Sequence, residues 1–193
     1  MKFSLVYHLY FKDGRVEFLQ KMVPSFFGHM QHALLNEVIL GLCKLTDPPH
    51  TSRNKNFSLT RLADIIQPQS KKLEVLSTRI YKRIERKDVQ AIRAHRNKRL
   101  SHNDYDVIMN DADLPGFSLE QIEKIFSDFF KILDKVSMEL FGAKIMYTNE
   151  MQAAYEADYV FEALMAGKKT AGEKINWRDY KWGFSRELNT DFS

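Results

Sequence analysis

Residues 96–102, RNKRLSH, contain three cations and a histidine. An arginine can hold a phosphate through paired, charge-assisted hydrogen bonds, and a histidine changes its charge near neutral pH. Arg96 and His102 are therefore candidates to bind a phosphodiester and to move a proton at it. The alternative is a basic helix end that complements the helix dipole, with His102 as a surface cap and Arg96 paired to Asp104 or Asp106.

The spacing limits how these two side chains can cooperate. On an ideal helix, residues six apart are separated by about 240°, so Arg96 and His102 do not share a face. Either the helix ends between them or a second copy of the chain completes the site. His95, Arg99 and His102 follow the spacing i, i+4, i+7 and can line one face as a second basic patch.

Positive charge is concentrated around this motif. Residues 82–99 hold eight cations and two anions, whereas the rest of the chain holds 21 cations and 23 anions. A local excess of this kind attracts phosphates, including those of a nucleic acid. A solvated helix face with some ion pairing is an equally good interpretation of the charge run alone.

The composition indicates one globular domain. The chain has 193 residues, 44% of them hydrophobic and 28% charged, which suits a single core. The single cysteine, Cys43, excludes an internal disulfide and a zinc site built from several thiolates, as expected in a reducing compartment. No apolar stretch is long enough to cross a membrane, and the opening MKFSLVYHLYF lacks a cleavage site, so we interpret it as a structured N-terminus. We therefore expect a cytoplasmic protein without a membrane partner.

The apolar pattern predicts a series of helices. Apolar residues recur in steps of three and four from Val16 to Leu42, with a kink or restart at Pro24, and again from a capping box at Ser118 to a stop at Gly142. The other predicted elements are a loop over residues 44–56, a short helix from Ser58 to Pro68, a long basic helix from Ser70 to about Leu100, and a helix from Thr148 or Asn149 to Gly167. Antiparallel helices with short connections favour an all-α, up-and-down helical bundle over residues 1–167, followed by a basic, aromatic C-terminal tail over residues 168–193.

Three further features allow two interpretations each. Asp47 either caps a turn or contacts the site around Arg96. His29 and His32 lie three apart on a helix, but no carboxylate at matching spacing precedes Glu37, so we expect no metal and no cofactor. The tail interleaves rings with cations, which either stack on unpaired bases or pack onto the bundle or a partner subunit: Trp177, Arg178, Tyr180, Lys181, Trp182, Phe184 and Arg186.

Three short motifs occur in a fixed order along the chain. They are LTDP at residues 45–48, NFSL at residues 56–59 and RNKRLSH at residues 96–102. Together they resemble the abortive-infection branch of the HEPN superfamily, whose helical-bundle domains are common in prokaryotic defence and toxin systems. The polar Asn97 and Lys98 and the small Ser101 are typical of that branch. The resemblance covers roughly residues 16–140 and leaves the tail outside.

The resemblance implies a metal-independent endoribonuclease that acts as a homodimer, with Arg96 and His102 of both copies around one cleft. Arg96 would neutralise the scissile phosphate, and His102 would be the general acid or base for attack by the RNA 2′-hydroxyl. The expected partners are RNA, a second copy of the chain, and a companion antitoxin or nucleotidyltransferase. The neighbouring polar residues are expected to bind the substrate: His95, Asn97, Lys98 and Arg99.

One departure from the pattern concerns regulation. In the branch silenced by a nucleotidyltransferase, a tyrosine two residues after the histidine receives the nucleotide. Here Asn103 and Asp104 follow His102, and the tyrosine is Tyr105, so the resemblance gives little support to nucleotide transfer at this position. Many HEPN domains also look non-catalytic, which leaves a dimeric scaffold that binds RNA, a nucleotide or a partner protein as the alternative function.

Overall fold

The computed structural model describes residues 2–101, 114–145 and 148–171. Within these ranges the chain is all-α apart from one two-stranded antiparallel sheet, which confirms the predicted fold class. Two π-helical turns, Tyr7–Phe11 and Arg96–Ser101, continue α1 and α6. The elements are α1 (Lys2–Val6), α2 (Arg15–Met22), α3 (Pro24–Thr46), β1 (His50–Thr51), β2 (Asn54–Lys55), α4 (Leu59–Ile66), α5 (Lys71–Ile84), α6 (Lys87–His95), α7 (Leu119–Phe141) and α8 (Thr148–Ala171).

The restart at Pro24 is confirmed. Val23 leaves the helical region with φ −143° and ψ 77°, and Pro24 occupies the first position of α3. An N–H at that position makes no hydrogen bond within the helix, so proline, which has no N–H, fits there. At its other end α3 runs to Thr46, so the loop predicted from residue 44 begins too early. Thr46 is buried, and its hydroxyl donates to the Leu42 carbonyl at 3.0 Å. The predicted loop also contains the β1–β2 hairpin.

The single long helix predicted from Ser70 to about Leu100 is wrong, because the chain breaks between α5 and α6. Arg86 is extended, with φ −65° and ψ 148°. Side-chain hydrogen bonds replace the main-chain ones that a continuous helix would make at the break. The Asp88 carboxylate accepts from the Val89 N–H at 2.9 Å, and the Gln90 side-chain amide donates to the Ile84 carbonyl at 2.9 Å. The redirected α6 places Val89 and Ile92 in the core, fully buried.

Helix α7 follows its sequence signals closely. The Ser118 hydroxyl accepts from the Gln121 N–H at 3.2 Å, and the Gln121 side chain accepts from the Ser118 N–H at 2.8 Å, so the predicted capping box is present. Gly142 ends the helix with φ +67°, a left-handed conformation that favours glycine. Helix α8 starts as predicted but continues past Gly167 to Ala171, while residues 172–193 of the predicted tail lie outside the described ranges.

Two groups of buried side chains hold the helices together. The larger group joins α3 to α7 through residues such as Leu42, Ile80, Ile92 and Ile125. The smaller group joins the N-terminal segment, α2 and α3 to α8, and its members are Leu9, Tyr10, Leu19, Phe27 and Ala157. The N-terminus is thus structured, as expected. None of the described helices combines the length and the apolar character that a membrane crossing requires.

Candidate active site

The C-terminus of α3 carries the first part of the site. Asp47 ends the helix in an extended conformation, with φ −64° and ψ 154°, and this leaves the last carbonyls of α3 in need of donors. Arg93 of α6 supplies one, because its Nη1 donates to the Thr46 carbonyl at 2.5 Å and to the Thr46 hydroxyl at 3.3 Å. A cation at this position also offsets the negative end of the helix dipole.

Arg96 reaches the same helix end from the following turn. Its Nη2 donates to Asp47 Oδ1 at 2.8 Å, and Nη2 of Arg93 lies 3.6 Å from the same oxygen. The side chains of Arg96 and Asp47 are each 24% exposed, so the pair is partly open to solvent. Asp104 and Asp106, the acids considered as partners from the sequence, lie outside the described ranges.

The NFSL motif and Thr60, which follows it, bind the chain at and just after the same aspartate. The Thr60 hydroxyl donates to the main-chain carbonyl of Asp47. The Asn56 side chain donates to the Pro48 carbonyl at 2.8 Å, and the Asn56 N–H donates to the Pro49 carbonyl at 2.9 Å. The Asp47 carboxylate therefore contacts Arg96, which is the second of the two roles considered for it, while its main-chain carbonyl binds α4. The structure brings LTDP, NFSL and the start of RNKRLSH into one cluster.

The motif arginine sits at the start of a π-helical turn. From Arg96 to Ser101 the helix widens, so its hydrogen bonds connect residues five apart and the ideal-helix angles used above no longer apply. Arg96 faces inward and is half-buried, whereas the predicted substrate-binding residues Asn97, Lys98 and Arg99 are exposed. Turns of this kind occur frequently at functional sites. His102 is the next residue along the chain and lies outside the described ranges.

His95 differs from the other predicted substrate-binding residues because it makes contacts within the chain. Its Nε2 lies 3.0 Å from the Pro115 carbonyl, and its ring packs edge-on against Phe117 with centroids 4.7 Å apart. This contact joins α6 to the segment that leads into α7.

The Cys43 thiol lies beneath the cluster. It is buried beside α6, with Sγ 3.9 Å from the Ile92 carbonyl. Burial raises the pKa of Cys43, although contact with the Arg96 guanidinium and the charge of Arg93 partly oppose this. The group is therefore a neutral thiol at physiological pH, which packs the base of the site and is a poor nucleophile.

Sequence reasoning missed Arg93 and Thr60. The signal for Arg93 was available, because residues three apart on a helix are neighbours and Arg93 precedes Arg96 by three. Thr60 had no such signal, since its contact with Asp47 depends on how α4 packs.

The described residues contain no group of three His, Cys, Asp or Glu side chains that could hold a metal ion. His29, considered as half of a metal pair, has its Nδ1 2.6 Å from the Ser25 carbonyl, in the preceding turn of α3.

A helical bundle in which these three motifs converge defines a HEPN-type domain. A comparison with family models agrees: the model HEPN_AbiU2, described as AbiU2, matches residues 3–161. The chain belongs to this AbiU2 family of HEPN domains, and the matched region includes all three motifs with both Arg96 and His102. No curated protein and no solved structure matched the chain.

Proposed function

We propose that this HEPN domain is a metal-independent endoribonuclease that acts as a homodimer in a toxin or phage-defence role. The observation that carries the proposal is the Asp47–Arg96 pair, which orients the motif arginine beside an exposed basic turn. Family membership supports the HEPN assignment, and the chemistry is what the resemblance of RNKRLSH to that superfamily implies for Arg96 and His102.

Arg96 is suited to hold the scissile phosphate. A guanidinium has five N–H donors in a rigid fork, and Asp47 takes one of them at Nη2. The Nε atom is buried, so a phosphate can approach the guanidinium only from its Nη1 and Nη2 end. A donor held in place before the substrate arrives stabilises developing charge on the phosphate without reorganisation in the transition state.

His102 supplies the proton transfers in this proposal. One histidine removes the proton from the 2′-hydroxyl, whose oxygen then forms a bond to phosphorus while the bond to the 5′-oxygen breaks. The other histidine, from the second copy, protonates the departing 5′-oxygen. The products are a 2′,3′-cyclic phosphate and a 5′-hydroxyl. Asn97, Lys98 and Arg99 are exposed next to Arg96 and contact the flanking phosphates.

A second candidate function is a dimeric scaffold that holds RNA, a nucleotide or a partner protein without cleaving RNA. One observation favours this scaffold. Arg96 is half-buried, and the Asp47 carboxylate already balances its charge. In either function a companion antitoxin or nucleotidyltransferase would act as regulator. Tyr105, the nearest tyrosine after His102, lies outside the described ranges.

Cleavage of mixed RNA in excess chelator tests the first proposal. The proteins to compare are wild type, Arg96→Ala, His102→Ala and the control Arg79→Ala, which removes an exposed cation from α5 outside the cluster. Melting temperature and dimer mass are measured for each. We expect cleavage with cyclic phosphate ends from wild type and Arg79→Ala, and none from the other two.

The other outcomes separate the two candidates. A folded wild-type protein that binds RNA but does not cut it would establish the scaffold. A folded protein that neither binds nor cuts RNA would refute the endoribonuclease and the RNA scaffold together.

A further inference from the structure

Phe57, the second residue of the NFSL motif, is completely exposed at 100% of its accessible surface. Single exposed apolar side chains are common on protein surfaces, so exposure alone decides nothing. The position of Phe57 is informative because its neighbours on both sides are fixed and because the candidate site is close.

The main chain at Phe57 is held on both sides. Before it, Asn56 is tied to the Pro48 and Pro49 carbonyls and to the Thr51 hydroxyl, the last at 2.7 Å. After it, Ser58 is buried and caps α4 by accepting from the Arg61 N–H at 3.4 Å. The ring therefore projects into solvent from an anchored segment, and little conformational entropy is lost when a ligand packs on it.

The surroundings of Phe57 are positively charged and lie near Arg96. Thr60, three residues further on, donates to the Asp47 carbonyl, so the Cα of Phe57 is at most about 11 Å from that of Thr60. The hairpin before it exposes Arg53 and Lys55. No acidic residue occurs between Asp47 and Asp64, and Asp47 is paired with Arg96.

We propose that Phe57 is a stacking platform for an unpaired RNA base one or a few nucleotides from the phosphate held by Arg96. An aromatic ring flanked by cations matches a nucleotide in both its parts, because the ring stacks on the base and the cations contact the backbone. The inference rests on the proposed RNA function. It adds that the substrate must be single-stranded at this position, since both faces of a base inside a duplex are covered by its stacked neighbours.

The test measures binding of a fluorescent, mixed-sequence, single-stranded oligoribonucleotide to the full-length His102→Ala protein. Into this background are introduced Phe57→Ala, Phe57→Trp and a matched control, Phe141→Ala, which removes a ring that is 78% exposed at the end of α7. Stacking of one base corresponds to an affinity loss of about 5-fold to 150-fold for Phe57→Ala. Phe57→Trp should keep the parent affinity, and Phe141→Ala should not change it.

Duplex RNA and dimer mass complete the design. Phe57→Ala should leave duplex affinity unchanged, because no base is free to stack. Equal single-strand affinity for the Phe57→Ala and parent proteins overturns the stacking role, while the proposed function still stands if the parent binds the single strand and wild type cleaves it. If Phe57→Ala loses the dimer, as shown by a lower mass in solution, Phe57 lies on a surface between two copies, and the stacking role is also overturned. If the parent binds no RNA, the proposed function and the inference both fail.

Discussion

The ion pair between Asp47 and Arg96 is the contact on which the site depends, and its strength can be measured separately from activity. We consider a double-mutant cycle with Asp47→Asn, Arg96→Gln and the combination of both. Asp47→Asn keeps the shape of the side chain, Arg96→Gln shortens it, and each change removes the charge. The coupling free energy then reports the pair itself, provided that neither single variant makes new contacts.

The structure sets the expected size of the coupling. Fully exposed ion pairs contribute about 0.2–1 kcal/mol, and hydrogen bonds to charged groups about 1.5–3 kcal/mol. With a 2.8 Å contact and 24% exposure of both side chains, the pair falls between these classes, and we expect a coupling of about 1–2 kcal/mol. Asp47→Asn alone should lower the melting temperature by roughly 2–8 °C for a domain of this size.

Urea denaturation followed by circular dichroism gives the four free energies of unfolding. A coupling below about 0.5 kcal/mol, the usual error of additivity, would refute the idea that Asp47 holds Arg96.

The same Asp47→Asn variant also tests the role of the pair in cleavage. Because it removes a negative charge beside the phosphate and loosens the arginine, kcat should fall while KM does not rise. A higher KM with unchanged kcat would contradict the positioning role.

Four other predictions concern the bundle. Arg83→Met removes the buried cation that Asp88 and Asp128 share and leaves Asp88 with the longer, 3.9 Å contact to Arg86, so it should lower the free energy of unfolding by about 3–5 kcal/mol in urea denaturation. Burial raises the pKa of Asp88, but the contact with Arg83, together with the Val89 N–H and the charge of Arg86, outweighs this and leaves the pKa lowered. Wild-type stability should therefore fall as the pH drops below about 4, and Arg83→Met should reduce this component. Burial and Asp64 raise the pKa of Tyr81 to about 12. The stability that the protonated Tyr81 hydroxyl contributes is therefore intact below about pH 10 and lost as the pH rises towards 12. Tyr81→Phe should remove this step from alkaline denaturation curves. Gly142→Ala should cost about 1 kcal/mol through backbone strain alone, because no atom lies within 4 Å of the added Cβ, and a cost near zero in urea denaturation would contradict this.

The helix boundaries that could be predicted are those whose causes are local. Pro24 restarts a helix because it lacks an N–H, and Ser118 and Gln121 satisfy each other within four residues. Gly142 ends α7 because its own backbone can adopt a positive φ. In each case the residues that determine the boundary are neighbours in sequence, so the pattern contains the information.

The break between α5 and α6 depends partly on distant residues. Arg83 is buried and binds both Asp88 across the break and Asp128 on α7, 45 residues away. The sequence shows Arg83 and Asp88 within a basic run, and nothing in the pattern indicates that Arg83 is buried between two helices. Periodicity alone favoured a continuous helix because both halves have apolar residues at helical spacing.

The candidate site shows the same division between local and tertiary information. The motifs could be named from the sequence, but Asp47 and Arg96 are 49 residues apart and meet only because α6 packs against the end of α3. That contact changes how the motif is understood. Considered alone, an arginine next to Lys98 and Arg99 is one of several exposed cations with the same task. In the structure it is held by a carboxylate, while Lys98 and Arg99 remain exposed, so the three cations lie in different surroundings. Loss of Lys98 or Arg99 should therefore weaken RNA binding in a salt-dependent way, whereas loss of Arg96 or Asp47 should act on the cleavage step itself.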